Sequence, residues 1–185
     1  MRFFKKSPFL LVVLLISSAL LIQGCGDDNN RPTGPDYSNV PDAYSIQNAD
    51  TTYTKEGGVE IYVIEEGICP GGEEEFCTVT PRDQISLRYT GRIFDGGTGE
   101  GEIFESTYVD STNSSAIITN LTPNSTQQQP AQIEGFRRGL LGMKEGEKRV
   151  IVVPPSLGYD DSRPGVSGMD LRDETLRYDV ELTGL

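Results

Sequence analysis

Two segments, "DQISLRYTGRIF" (83–94) and "TLRYDVELTGL" (175–185), alternate almost without error, and they constrain the fold more than anything else in the chain. Ile85, Leu87 and Tyr89 are set against Ser86, Arg88 and Thr90; Leu176, Tyr178, Val180 and Leu182 are set against Arg177, Asp179 and Glu181. A period of two puts successive side chains on opposite faces, so each segment reads as a strand with one buried and one wet face, the habit of antiparallel sheets. "GVEIYVIEEG" adds a third strand through Val59, Ile61 and Val63. "EKRVIVV" is a fourth, stopped by Pro154 and Pro155 because neither can donate an N–H to a ladder. One convincing helix precedes it. Ile133, Phe136, Leu140 and Met143 follow helical spacing, and Gly142 or Gly146 can end the run. So short a helix is stable only with its apolar face on a sheet. The predicted fold class is α+β: a twisted antiparallel β-sheet wrapped around one short α-helix.

The N-terminus belongs to a different kind of segment. Arg2, Lys5 and Lys6 precede an apolar run from Phe9 to Ile22 that only Ser17 and Ser18 interrupt. The run is shorter than the roughly 20 residues that span a bilayer, so residues 1–24 read as a signal peptide. "LIQGC" resembles the lipobox of bacterial lipoproteins, in which Cys25 would be acylated and hold the mature chain on a membrane without crossing it. An ordinary signal peptide cleaved near Gly24, or an uncleaved anchor, are the competing readings. Residues 25–50, rich in Asp, Asn, Pro, Ser and Gly, read as a flexible acidic tether. The acids directly after Cys25 resemble runs that accompany export of lipoproteins to the cell surface in some bacteria, and a plain solvated linker fits them equally well. The expected location is the bacterial cell envelope, lipid-anchored and facing either the periplasm or the exterior. Residues 51–185 form the folded domain, with a long polar insertion at about 107–132 whose only apolar cluster is Ile117, Ile118 and Leu121.

Charge and composition exclude several functions. A formal net charge of −12 disfavours phosphate backbones, so nucleic acid is not an expected partner. The sequence contains 0 histidines, which removes Ser–His–Asp and Cys–His catalysis and every histidine metal site. Cys69 and Cys77 make a poor zinc site on their own. In an oxidising compartment they read as a local disulfide, worth about 2.5 kcal/mol by chain entropy. "DGGTGEGE" (95–102) misses the spacings of calcium and phosphate loops and reads as an expanded hairpin turn.

The segments "LRYTGRIFDGG", "IFEST", "IEGFRRGLLGMKEGEKRVIVVPPSLGY" and "TLRYDVEL", in this order, resemble the successive signature blocks of the FKBP-type peptidyl-prolyl isomerases. The likeness runs from about Val59 to Leu185. It implies the same sheet-and-helix fold, isomerisation of X–Pro bonds in exported or envelope polypeptides, and no metal or organic cofactor. Proline-containing clients would be its partners, with macrolide-type ligands as alternative occupants of the groove. Position by position, Tyr89 would be a pocket wall, and Phe104 with Glu105 would match the family's Phe–Asp pair. Ile133 would stand at the rim, and Phe136 lies where many members place a tryptophan floor. Tyr159 matches the tyrosine that donates to the bound peptide carbonyl; Tyr178 occupies an inner-wall position that is usually phenylalanine. Ile117 or Ile118 would fill the slot of a second pocket phenylalanine, and Val166 would be a rim aliphatic. By pattern alone Tyr89, Phe136 and Tyr178 would be core residues, and Glu105 could simply pair with an arginine. A non-catalytic peptide-binding or chaperone module, and a surface protein that keeps only the scaffold, are the alternatives.

Overall fold

The computed structural model describes residues 34–69, 77–99, 101–119, 121, 132–160, 165 and 169–185. Their strands are β1 (Thr51–Lys55), β2 (Val59–Glu65), β3 (Gln84–Ile93), β4 (Ile103–Ser106), β5 (Ala116–Thr119), β6 (Lys148–Val153) and β7 (Leu176–Gly184). The helix α1 spans Glu134–Leu140. All strands join one sheet in the order β1-β2-β6-β7-β3-β4, with β5 also paired to β3, and every pairing is antiparallel. The inward sets behave as alternation demands: Val59, Ile61, Val63, Ile85, Leu87, Leu176, Tyr178, Val180 and Leu182 are all buried.

The helix is shorter than its periodicity allows. Ile133 is its N-cap and Leu141 its C-cap, while Gly142 takes φ of 76° in the turn that follows. Met143 lies beyond the helix and is still fully buried. Two glycines let α1 lie directly on β6: a Cβ at Gly135 would come within 2.2 Å of Val153, and one at Gly139 within 2.4 Å of Ile151. Cations close the far end. Lys55 Nζ donates to the carbonyls of Arg138 (2.8 Å) and Leu141, and Arg149 donates to that of Gly139 (2.7 Å), so otherwise orphaned helix carbonyls are paired. Burial, reinforced by the Arg149 charge, lowers the Lys55 ammonium to about 8.

One expectation needs correcting. The outer faces of β7 and β3 are not wet: Arg177, Asp179 and Arg92 are buried there. The cover is the N-terminal arm itself, since residues 34–50, expected to be a loose tether, run along the sheet. Asp179 Oδ1 accepts from the Tyr44 N–H (3.1 Å) and from Arg177 (2.7 Å). Arg177 also donates to the Tyr44 carbonyl, and Arg92 to that of Pro41 (3.2 Å). Further along, the Tyr37 hydroxyl donates to the Phe104 carbonyl (3.0 Å), and Asp36 and Asp110 exchange two backbone-anchored hydrogen bonds. Composition was a poor guide because the arm is held mostly by its main chain. Burying a cation and a carboxylate here leaves polar atoms, some of which the arm's N–H and C=O groups satisfy. The compact unit accordingly begins at Gly34.

Cys69 and Cys77 are joined, with 5.4 Å between their Cα atoms. The residues flanking the bridge are pinned to the turn after α1, through pairings of Ile68 with Glu145 and of Thr78 with Lys144. Residues 70–76 inside the loop lie outside the described set, as do Cys25 and the rest of residues 1–33.

Two stability measurements check these contacts. A chain beginning at residue 51 should be less stable than one beginning at residue 34 by about 2–4 kcal/mol in urea unfolding, because the Arg177–Asp179 pair loses its main-chain partners. Equal midpoints would show that the arm contributes nothing. Replacing both Cys69 and Cys77 by serine should cost about 2.5 kcal/mol, with the fold retained.

Candidate active site

Five aromatic side chains from different elements meet on the concave side of the sheet. Tyr178, at the centre of the sheet on β7, lies between Gly91 of β3 and Ile151 of β6 in the strand register. Phe136, two residues into the helix's first turn, stacks on it with ring centroids 4.3 Å apart and planes inclined by 28°. Phe104 of β4 meets Tyr178 edge-on at 5.6 Å and Tyr159 edge-on at 6.3 Å. Tyr89 of β3 is tilted against both Phe136 (5.2 Å) and Tyr178 (6.2 Å). Edge-to-face and offset contacts at these distances are favourable beyond the area they bury. Gly91 makes the arrangement sterically possible, since a Cβ there would lie 2.6 Å from the Phe104 ring.

Polar atoms enter this aromatic shell at few points. The Tyr89 hydroxyl donates to Glu105 Oε2 at 3.4 Å, and Gln132 bonds to the same hydroxyl. Burial first, and then the Glu105 charge, push the Tyr89 phenol far above its ordinary range. Tyr178 is also pushed well above its ordinary value, by burial first and then by Glu105, Tyr159 and Tyr89. Both therefore remain protonated. Tyr159 follows the short 3-10 turn Pro155–Leu157, is held by a bridge to Arg172, and is only 7% exposed. Beside it, a cleft of about 220 Å³ runs between residues 132–134 and the turn 156–158, with Asp160 at its edge.

Tyr89, Phe104, Glu105, Ile133, Phe136, Tyr159 and Tyr178 thus belong to one neighbourhood. Ile117 does not join it: 56% exposed, it points away from the core on β5. Its neighbour Ile118 is buried, and its partner in the ladder is Ile85. Period two forces this split, so the two could never share a role. Val166 lies outside the described residues, as do residues 120 and 122–131 of the insertion. Two contributors escaped the sequence reading. Gln132, 7% exposed, reaches Tyr89 with its side chain, and its carbonyl accepts from the buried Arg137. Thr107 closes the other side, accepting from the Tyr89 N–H at 3.0 Å and donating its own N–H back to the Tyr89 carbonyl at 3.0 Å. Both sit in polar runs whose composition carries no signal; only the position of Gln132 directly before the helix marked it. Among the described residues no cluster of three or more cysteine or carboxylate side chains is placed to hold a metal.

Comparison with known proteins agrees with this geometry. The profile of the FKBP-type peptidyl-prolyl cis-trans isomerases matches residues 77–183, more than half of the chain. An FK506-binding protein 2B of Rhizopus delemar is 37% identical over 100 residues, covering 54% of this chain and 41% of its own. The peptidyl-prolyl cis-trans isomerase FPR2 of Saccharomyces cerevisiae is 32% identical over 121 residues, covering 64% of this chain and 78% of its own. Among solved structures, FkpA from Escherichia coli superimposes with a TM-score of 0.52 at 25% identity, covering 72% of this chain and 51% of that one. The chain therefore spans about two-fifths of the Rhizopus relative and half of FkpA. It belongs to the FKBP-type peptidyl-prolyl cis-trans isomerase family.

Proposed function

We propose that the protein is a peptidyl-prolyl cis-trans isomerase that works through the aromatic cluster and assists folding of exported or envelope proteins. The observation that carries this reading is the convergence of Tyr89, Phe104, Phe136, Tyr159 and Tyr178, from a helix, a turn and three strands, around one point. The yeast relative's name supports it.

Isomerisation needs no nucleophile and no net proton transfer. The barrier of ~20 kcal/mol is the loss of amide conjugation as the X–Pro bond twists. A planar amide is strongly dipolar; the twisted one is less so. An apolar enclosure therefore costs the transition state less than the ground state, which is catalysis by differential binding. Aromatic walls supply that enclosure. Tyr159, at the mouth, is suited to donate to a carbonyl of the bound peptide and fix its path over the pocket. Glu105 accepts from the Tyr89 hydroxyl and so fixes the orientation of that ring in the wall. Lipid attachment at Cys25 and an envelope location complete the proposal and rest on the sequence of residues 1–25 alone.

In a protease-coupled assay on proline peptides, the full chain should accelerate isomerisation. Tyr159→Phe should lower kcat/KM by about tenfold, the worth of one hydrogen bond. Phe136→Leu, which keeps bulk and removes the ring, should lower it as well. A folded chain that binds such peptides without accelerating them would instead be a peptide-binding module.

A further inference from the structure

β4 is the least supported strand of the site and carries two of its residues. It has 4 residues, its one strand neighbour among the described residues is β3, and the register between the two slips at Gly91 and Arg92. A short edge strand of this kind opens at low cost. Yet Phe104 and Glu105 of β4 stand behind both walls of the cleft. The Phe104 ring meets Tyr159 edge-on at 6.3 Å, and Tyr159 lies between Gly158 and Asp160 of one wall. Glu105 accepts from the Tyr89 hydroxyl, to which Gln132 also bonds, and Gln132 lines the opposite wall. The spacing of the two walls therefore depends on where β4 lies.

The N-terminal arm holds β4 from the side that β3 does not cover. Thr107 donates its N–H to the Tyr89 carbonyl, so its main-chain groups face β3. Alternation then turns those of Phe104, three residues earlier, toward the open side of the strand. There the Tyr37 hydroxyl donates to the Phe104 carbonyl at 3.0 Å. One residue earlier in the arm, Asp36 donates its N–H to Asp110 Oδ1 at 2.9 Å, and its carbonyl accepts from the Asp110 N–H at 2.8 Å. The arm thus grips β4 within the strand and again just past its end. We propose that Tyr37 is a positioning residue for the isomerase: its hydroxyl fixes β4 at the open edge, and through Phe104 and Glu105 it sets the two walls of the cleft. The inference rests on the isomerase reading. Tyr37 stands outside residues 77–183, the stretch that matches the family. Its action is indirect, through the strand and not through the peptide. An amide held between walls out of register is bound without the enclosure that favours its twisted form, so the effect falls on turnover.

The test compares the full wild-type chain with Tyr37→Phe, which keeps the ring and removes the donor, over a range of proline-peptide concentrations, with urea unfolding alongside. The expected result is a kcat about fivefold lower with KM little changed, the worth of one hydrogen bond in how often β4 holds both walls in register. Substituting 4-aminophenylalanine at position 37 restores a donor at nearly the same reach and should return kcat to within about twofold of wild type. The double variant Cys69→Ser/Cys77→Ser controls for simple loss of stability: it should unfold at lower urea than Tyr37→Phe and still keep the wild-type kcat. A Tyr37→Phe kcat equal to wild type overturns the assignment. So does a loss confined to KM, which would mark a contact with the peptide, or a loss that the amino analogue does not restore. An equal fall of kcat in the cysteine variant overturns it too, since general loosening would then be the cause. A wild-type chain with no activity at all sinks the isomerase reading, and this one with it; an active wild type with an equally active Tyr37→Phe sinks only this one.

Discussion

The stacking of Phe136 on Tyr178 ties the helix to the centre of the sheet, and the rest of the concave side is arranged around it. The helix cannot hover at an ordinary helix-to-sheet distance and still bring that ring down. Gly135 and Gly139, one turn apart on the same face, remove the side chains that would hold it off Val153 and Ile151. Aliphatic residues on β6 then fill the contact, and a cation from β1 and another from β6 tie off the helix's last carbonyls. Seven residues of helix would be unstable alone. Here packing on one side and charge at one end replace the missing length.

β7 carries this load on both faces. One face presents Tyr178 to the aromatic cluster; the other presents Arg177 and Asp179 to the N-terminal arm. A buried guanidinium and carboxylate are weak evidence of net stability, because desolvation offsets most of their attraction. What they specify is position. Main-chain groups at Pro41 and Tyr44 pair with one side-chain atom each of Arg92, Arg177 and Asp179. The Tyr37 bond to the Phe104 carbonyl extends that coupling to the strand that bears a pocket wall. The arm is thus part of the fold that holds the site.

The strands were legible because alternation is a direct imprint of a half-buried surface, and β2, β3 and β7 keep their apolar sets where that imprint puts them. The site residues on those strands, Tyr89 and Tyr178, were legible only as inward aromatics; their grouping with Phe104 and Tyr159 came from the order of the blocks. The arm was not legible. Apart from the Tyr37 hydroxyl, its hydrogen bonds to the sheet are made by N–H and C=O groups that every residue has, so side-chain composition is nearly silent about them. Helix length was overstated for a related reason: Met143 keeps helical spacing with Leu140 but is buried from a turn. Gln132 was hidden in a polar run where one more glutamine carries no signal.

A site with this chemistry sits uneasily with stability. Three phenol oxygens and a carboxylate are drawn into an enclosure of aromatic rings, and each loses hydration that neighbours return only in part. A core built for stability alone would place phenylalanine at all three tyrosines. The retained hydroxyls have defined neighbours: that of Tyr89 is bonded to Glu105 and Gln132, while that of Tyr178 has the Tyr159 phenol as its hydrogen-bonding neighbour. Hydroxyls already bonded define the shape of the enclosure. Polar atoms tied up in this way leave the ring faces as the walls, and apolar walls are what the proposed isomerisation draws on.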